Sequence, residues 1–554
     1  MIAQQARGCL WHIRLAASAV IVGLAAVVLS GCGGADQSTA GTMTFMPSVP
    51  APFAADFNPF SPTAQLAAQG LIYEPLWFFD MADATRTDPW LATSYKWSRG
   101  GKTITFGLRH NVRWTDGQPF TSRDVAFTFN LMKSHPALNP SALPISDAVT
   151  KGPYSVAINF SHPAYSDINY IAGTTYIVPE HIWKNIPDPS KYQDPHPVGT
   201  GAYTPVSVSG QVMTFKANPH YYMTGLPRIK TIRYLYFSSN TTADISIENG
   251  SVDWGTAYIP DVRHVYIDKN PGYRFYDIPS AVTNLIPNMV SGPTTSLAVR
   301  KAISYAIDRK LVSQDVYGGF NGQINQTGLV QPLFRDVTDP SLDKPYVYSA
   351  ALARSTLKSA GYTLAPNGYF EKSGRELTIS AQVPSGYTDY ISDLQIMARD
   401  LKAAGINLVI DSESLSQYSS NEATGKFQLI MAYTGFTPSP YVYYHNLLYS
   451  DGIPPIGKVD GVGDYGRYSN STINSLLNAI AATPRVAVQR PYFYKIEAIV
   501  ARNMPTIPVL NQDDSVEFNG NHVTGEATPA NPYAQDIPIA PDYAWVSSRL
   551  SLVK

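Results

Sequence analysis

Apolar residues recur at i, i+3, i+4, i+7 and i+8 in Val299, Ala302, Ile303, Ala306 and Ile307, which is one face of an amphipathic helix. Arg300, Lys301, Asp308 and Arg309 lie off that face, and Gly318-Gly319 offers a stop. A second helix is predicted over Asp393 to Ala404, ending at Gly405 before the strand-like Ile406 to Ile410. A third, Ile473 to Ala482, is followed by a fourth over Tyr492 to Asn503. Thr103 to Leu108 alternates polar and apolar side chains, the period of a half-buried strand. Asp116-Gly117 is a turn signal, and Thr121 with Asp124 forms an N-cap pair ahead of Val125, Phe127 and Leu131. Helices alternating with strands argue for α/β lobes. The Pro-rich stretches near 183–198 and 526–541 read as surface connections. There is no sustained internal repeat.

The start of the chain has a different pattern. Arg7, His12 and Arg14 precede an uncharged run from Leu15 to Leu29. That run is shorter than the ~20 residues a membrane span needs, and a basic start with a short apolar core fits a secretory signal. Leu29-Ser30-Gly31-Cys32 resembles a bacterial lipobox, with Cys32 as the lipidation site; an ordinary signal peptide with an incidental cysteine is the competing reading. Residues 1–31 are then a lipoprotein signal peptide and 32–43 a flexible tether. Cys9 and Cys32 are the two cysteines, and Cys9 lies in the segment to be removed, so no disulfide is expected inside the mature chain. Removing residues 1–31 takes away Arg7 and Arg14 and no acids, leaving 39 bases against 42 acids. That balance provides no footprint for nucleic acid and no polybasic membrane patch. A mature chain of this length calls for two or three lobes. Aromatic residues make up 12% of the sequence, a supply equal to lining a ligand cleft and also to ordinary core use.

Several blocks, in order, carry a resemblance. Asn58-Pro59-Phe60 and Leu71-Ile72-Tyr73-Glu74-Pro75-Leu76 come first. Pro89-Trp90-Leu91-Ala92, Leu108-Arg109, Trp114-Thr115-Asp116-Gly117 and Asp124-Val125-Ala126-Phe127 follow. Next are Val198-Gly199-Thr200-Gly201-Ala202-Tyr203, Asn218-Pro219-His220-Tyr221-Tyr222 and Asn249-Gly250-Ser251-Val252-Asp253. Val299 to Arg309 and Met504-Pro505-Thr506-Ile507-Pro508-Val509 complete the set. Over roughly residues 44–550 the chain resembles the bacterial extracellular solute-binding proteins of family 5, the peptide- and nickel-type receptors of ABC importers. The resemblance implies an α/β, periplasmic-binding-protein-like fold (type II, cluster C), with two halves around a ligand cleft and an extra inserted lobe. It implies a first lobe from 44–80, 195–280 and 513–554, an inserted lobe from 81–194, and an opposing lobe from 281–512. The chain would cross between halves near 280 and 512, at a hinge whose closure buries the solute. The implied partners are a small solute, a permease with its ATPase, and a membrane reached through the lipid anchor only, for a monomer held outside the cytoplasm. Neither enzymatic activity, nor a cofactor, nor nucleic-acid binding is implied.

Peptide-binding members carry an acid, in an Asp-Tyr-x-Asp/Glu-Pro-like element, that pairs with the peptide's α-amino group. Here the corresponding stretch runs from Met431 to Tyr444, and no acid occurs between Gln428 and Ser450. Matching the element's proline to Pro440 puts Phe436 where the first acid would be. A buried ammonium without a counter-charge is costly, which weakens the peptide assignment. Aromatic faces and hydroxyls suit a sugar, so peptide and oligosaccharide both stand as solutes. Candidate contacts are Tyr73, Trp77, Trp254, Asn288, Tyr433, Phe436 and Tyr441. Core packing competes with that role for each aromatic, and turn capping for Asn288. Trp90 and Trp114 read as structural.

Gly461-Val462-Gly463-Asp464-Tyr465-Gly466 matches G-x-G-x-x-G but follows no clear strand and leads into no helix, so it reads as a loop. No nucleophile elbow, H-E-x-x-H pair or P-loop occurs, and the scattered histidines have no ligand-like spacing. Asp513-Asp514 reads as a solvated turn near the second hinge crossing, with a glycosidase-type acid pair as the alternative. A secreted hydrolase and a surface sensor are the rival functional classes. Turnover would mark the first, and transport surviving deletion would mark the second.

Overall fold

Two long antiparallel strands, Tyr273–Pro287 and Ile507–Asn519, form the seam of the protein. Their ladder runs from Tyr273 opposite Asn519 to Leu285 opposite Ile507, with register shifts between Pro279 and Ala281 and between Thr283 and Asn284. A proline stands at each shift. Pro279 and Pro508 have no N–H to give the ladder, so the pairing slips and the strands bend there. At the first shift Tyr273–Pro287 also changes from half-buried to buried. The computed structural model describes residues 41–47, 52–83, 85–322, 324–435, 437–460, 463–539 and 542–554. The lipobox with Cys32, and Phe436, lie outside the described residues.

The seam sits inside a ten-stranded mixed sheet. On one side of it come Leu429–Gly435, Thr378–Pro384 and Asn407–Glu413. On the other come Trp254–Gly255, Thr42–Phe45, Thr231–Leu235, Val212–Ala217 and Tyr203–Val208. Thr42–Phe45 pairs in parallel with Thr231–Leu235, so the sheet begins inside the stretch expected to be tether. Around the first flank Leu285, Val299, Ile303, Ile379, Leu394, Met397 and Leu429 share one buried core. A second four-stranded sheet, Ala92–Ser98, Thr103–Leu108, Ser155–Phe160 and Ile145–Gly152, lies within residues 81–194 and packs on the helix Ser122–Ser134. Thr121 and Asp124 close a capping box at that helix's start, satisfying two of its free N–H groups.

The Val299–Arg309 pattern folds as two helices, Leu297–Ala306 and Arg309–Tyr317, and the second ends on Gly318 in the left-handed conformation. Arg300 and Arg309 lie off the apolar face but are buried. Arg300 donates to the carbonyls of Thr294, Thr295, Asn503 and Met504, and Arg309 to those of Ser304 and Pro508. Each guanidinium thus ties a helix end to the Met504–Pro508 block. The other predicted helices are Thr388–Ala403, Ser471–Ala481 and Val486–Asn503, and the strand near 406 is Asn407–Glu413.

The blocks from the first part of the chain converge around Glu74. Trp90 Nε1 and Tyr221 Oη each donate to Glu74 Oε1 at 2.7 Å. Burial pushes this carboxyl up to about 7. Gly199 and Gly201 press against the Ile72 and Leu71 carbonyls, where a Cβ would sit 2.0 and 2.1 Å from the oxygens. These motifs are packing devices. No helix among the described residues is long and apolar enough to cross a membrane.

Candidate ligand cleft

A cavity of about 640 Å³ opens where the seam passes between the two flanks of the sheet. One wall comes from Phe237 to Asn240, Thr256 to Ile259, Arg263 and Phe275. The facing wall comes from Val316 to Gly318, Phe320, Tyr387, Asp389 and Tyr433, and the seam residues Asp277 and Gln512 to Ser515 also line it. The walls touch at the rim. The Asn240 N–H donates to Gly386 O at 3.1 Å, and its amide nitrogen donates to Asp389 Oδ1 at 3.0 Å and Thr388 Oγ1 at 3.2 Å. Tyr258 Oη donates to Val316 O at 2.7 Å. Gly386 is required there, because a Cβ would stand 2.3 Å from Ser238 O on the opposite wall.

Local sequence explains how the lining is held. Gln512 Oε1 accepts from Thr283 Oγ1 at 2.5 Å and from Asn321 Nδ2 at 3.1 Å, locking the seam to the turn that follows Gly318-Gly319. Ser515 Oγ donates to Ala257 O, and the Ala257 N–H donates to Glu517 Oε2. Ring pairs cross or flank the cavity: Tyr258 with Tyr317 at 5.7 Å, Phe275 with Phe320 at 5.7 Å, and Tyr390 with Tyr433 at 5.0 Å.

The lining is acidic. Asp277, Asp389, Asp513 and Asp514 face the cavity with Asp261, whereas Arg263 is the lining's one lysine or arginine among the described residues. Asp261 takes a bond from His264 at the mouth. Burial, reinforced by Asp277 and Asp514 for the first of these, lifts Asp513 to about 8, and burial lifts Asp514 to about 7 and Asp277 and Asp389 to about 6. Behind the walls Asp244 and Glu517 are raised by burial to about 7 and 8, and Asp393 is raised as well. Asp513-Asp514 is therefore no solvated turn. Both residues lie in the strand Ile507–Asn519, held there by the ladder to Ile278 and Pro279.

The residues singled out from sequence scatter. Tyr433 is on the cavity wall. Tyr73 is fully buried and donates to Asp194, and Trp254 is buried with its indole N–H on Asp536 O at 3.3 Å. Trp77 packs edge-on against Tyr95. Asn288 bonds the carbonyls of Gly425 and Phe427 and accepts from the Val290 and Ser291 N–H groups, which is the turn-capping role. Tyr441 is buried in the helix Pro440–Leu448, its ring 5.5 Å from that of His445. None of these five lines the cavity. Sequence reasoning missed Asp277, Asp389, Tyr258, Tyr317 and Tyr387. The signal available in the sequence is the acid pair Asp513-Asp514, whose place in the chain reads as a turn. Of the G-x-G-x-x-G match, Gly461 and Val462 lie outside the described residues, and Tyr465-Gly466 is turn.

A mixed sheet whose central strand pair serves both flanks, with a cavity between them, is a periplasmic-binding-protein-like arrangement. The sequence profile for the bacterial extracellular solute-binding proteins, family 5 middle region, matches residues 86–454, and the chain belongs to that family. Among curated relatives, the nickel-binding periplasmic protein of Escherichia coli K12 is 28% identical over 400 residues, covering 69% of this chain and 74% of its own. A putative ABC transporter peptide-binding protein of Brucella ovis is 27% identical over 405 residues, covering 71% and 73%. The periplasmic oligopeptide-binding protein of Thermotoga maritima, crystallised with mannohexaose, has the same fold: TM-score 0.86, 24% identity, 92% of this chain and 98% of that one. The protein is thus a solute-binding receptor of the ABC-importer class that works outside the cytoplasm, from a family of receptors and not of catalysts.

Proposed function

We propose that this receptor captures an oligopeptide-class solute in the cavity on the seam and delivers it to a membrane permease, held near that partner as a monomer by lipid on Cys32. The observation that carries the reading is the cavity, lined from both flanks and closed by Asn240 on Gly386 and Asp389 and by Tyr258 on Val316. Contacts made to both walls at once stabilise a closed form, and the paired strands with their two register shifts are the natural hinge. On this reading the first lobe is 44–80, 195–280 and 513–554, the inserted lobe is 81–194, and the opposing lobe is 281–512. The relatives named for peptide binding support the solute class, and the acids supply a counter-charge that the Met431–Tyr444 stretch lacks.

An oligosaccharide is the second reading, favoured by the tyrosines at 258, 317, 387 and 433 in the cavity wall. Thermal-shift measurements on the mature protein with peptide and oligosaccharide libraries separate the two, since binding to the native state raises the melting temperature by mass action. Shifts confined to peptides are expected. Shifts confined to glycans would move the assignment to the second reading, and no shift with either would end both.

A further inference from the structure

Some buried acids of this protein are met by a cation or by several donors, whereas Asp536 and Asp542, like the seam acids, have no ion pair among the described residues. Asp80 pairs with Arg86, Asp460 with Arg467, and Glu526 with Arg274. Asp194 receives two tyrosine hydroxyls, and Glu74 a tyrosine and an indole N–H. On the seam, Asp513 receives the amide of Asn511 at 3.0 Å, and Asp514 receives the hydroxyl of Ser280. Asp277 receives no side-chain hydrogen bond among the described residues. None of the three has an ion-pair partner among the described residues, although all line the cavity. Asp514 is only 7% exposed, and its second carboxylate oxygen faces no donor among the described residues. Asp514 is buried and Asp277 and Asp513 are half-buried, and holding unpaired carboxylates side by side is costly.

We propose that the solute is cationic, and that ammonium or guanidinium groups of the solute seat against the acids Asp277, Asp513 and Asp514 on the seam. This rests on the reading of the cavity as the solute site and names what the site selects. Two features support it. The acids are placed on the two strands that cross between the flanks, so a cation there bonds both strands as the cavity closes. Aromatic faces flank the position, with Phe275 and Phe320 in contact and Tyr258 nearby, and such faces attract cations as well as apolar groups.

The test uses the mature protein with a casein hydrolysate, native or exhaustively amine-acetylated, and identifies the retained peptides by mass spectrometry. Spermidine and free arginine are assayed beside it by thermal shift. Wild type is expected to retain native peptides enriched in positive charge and to lose at least about tenfold in affinity for acetylated amine peptides, since an unpaired buried charge is what the pairing removes. Asp513→Asn with Asp514→Asn, and separately Asp277→Asn, should weaken binding of the retained peptides by at least about tenfold. Their melting temperatures without solute should hold or rise, because like-charge repulsion is relieved, so weak binding cannot be put down to misfolding. Acetylated peptides retained as well as native ones, or Asn variants binding like wild type, would overturn the proposal. If wild type retains no peptide, the oligopeptide reading fails alone, and the cation proposal is then decided by spermidine and arginine: a shift with either upholds it, and no shift with both overturns it.

Discussion

The stretch Met431 to Leu448 and the seam around Asp277, Asp513 and Asp514 make an instructive contrast. The first is rich in tyrosine and looks like a binding surface in sequence, yet most of it is interior. Tyr443 and Tyr444 are buried and use their hydroxyls on the carbonyls of Gly328 and Thr327, at 2.5 and 3.0 Å. Among the described residues of this stretch, only Tyr433, near the end of a strand, reaches the cavity. The seam looks polar and unremarkable in sequence, yet it lines the cavity with carboxylates. An aromatic run contributes to whatever surface its backbone presents, whereas an unpaired acid on a cavity wall is costly until a ligand meets it.

Removing a buried ring should produce the largest effect that breaks this contrast. Tyr444→Ala is expected to lower unfolding stability by about 3–5 kcal/mol, measured by denaturant titration, because it leaves a cavity and an unmet carbonyl. If Tyr444→Ala instead weakened solute binding with stability intact, the helix Pro440–Leu448 would belong to the site. Tyr433→Ala should do the opposite, weakening solute binding by about 1–3 kcal/mol in calorimetry with a smaller change in stability. Gly386→Ala tests the rim. Its Cβ would meet the Ser238 carbonyl only when the walls touch, so it should penalise the closed form by about 1–3 kcal/mol, read as slower or weaker closure in small-angle scattering with solute. Equal compaction in both proteins would remove the rim contact from the closing device.

The smallest expected effect is on pH dependence. Cleft carboxyls raised to about 6–8 bind protons in the native state that the unfolded chain, with ordinary carboxyls near 4, has already released. Stability without solute should therefore fall as pH rises from about 5 to about 8.5. Asp244 and Glu517 behind the walls act in the same direction, as do Glu74, Asp167, Glu422 and Glu497 elsewhere, whereas Arg263 and His264 are the basic groups near the mouth. Buried His445, lowered to about 4, opposes the trend below its ordinary value. The seam's share is isolated by Asp513→Asn with Asp514→Asn, whose melting temperature should fall less over that range than that of wild type. An identical slope would show that the seam acids do not titrate there. Affinity for a cationic solute should run the other way and strengthen as pH rises.

The local elements were legible because their causes are local. Thr103–Leu108 is a strand with the bounds its alternation implies, Thr121 and Asp124 make the capping box their spacing suggests, and Gly318 ends a helix where a left-handed residue is needed. The family blocks were also legible, and they fixed the fold class, because many short stretches in order constrain a whole chain. The buried state of Arg300 and Arg309 was not, since their partners are carbonyls near Asn503 to Pro508, about 200 residues away.

By itself, then, the sequence determined the strands, caps and helices, the membership in family 5 and the missing acid between Gln428 and Ser450. Only the tertiary structure decided which side chains line the cavity. Ser280 and Asp514 meet across 234 residues of chain because the two seam strands pair, and Asp277 joins Asp513 through the same ladder. A cleft is made by that pairing and by the approach of two walls, and whether a given tyrosine or aspartate faces it depends on strand register, which a linear pattern does not carry.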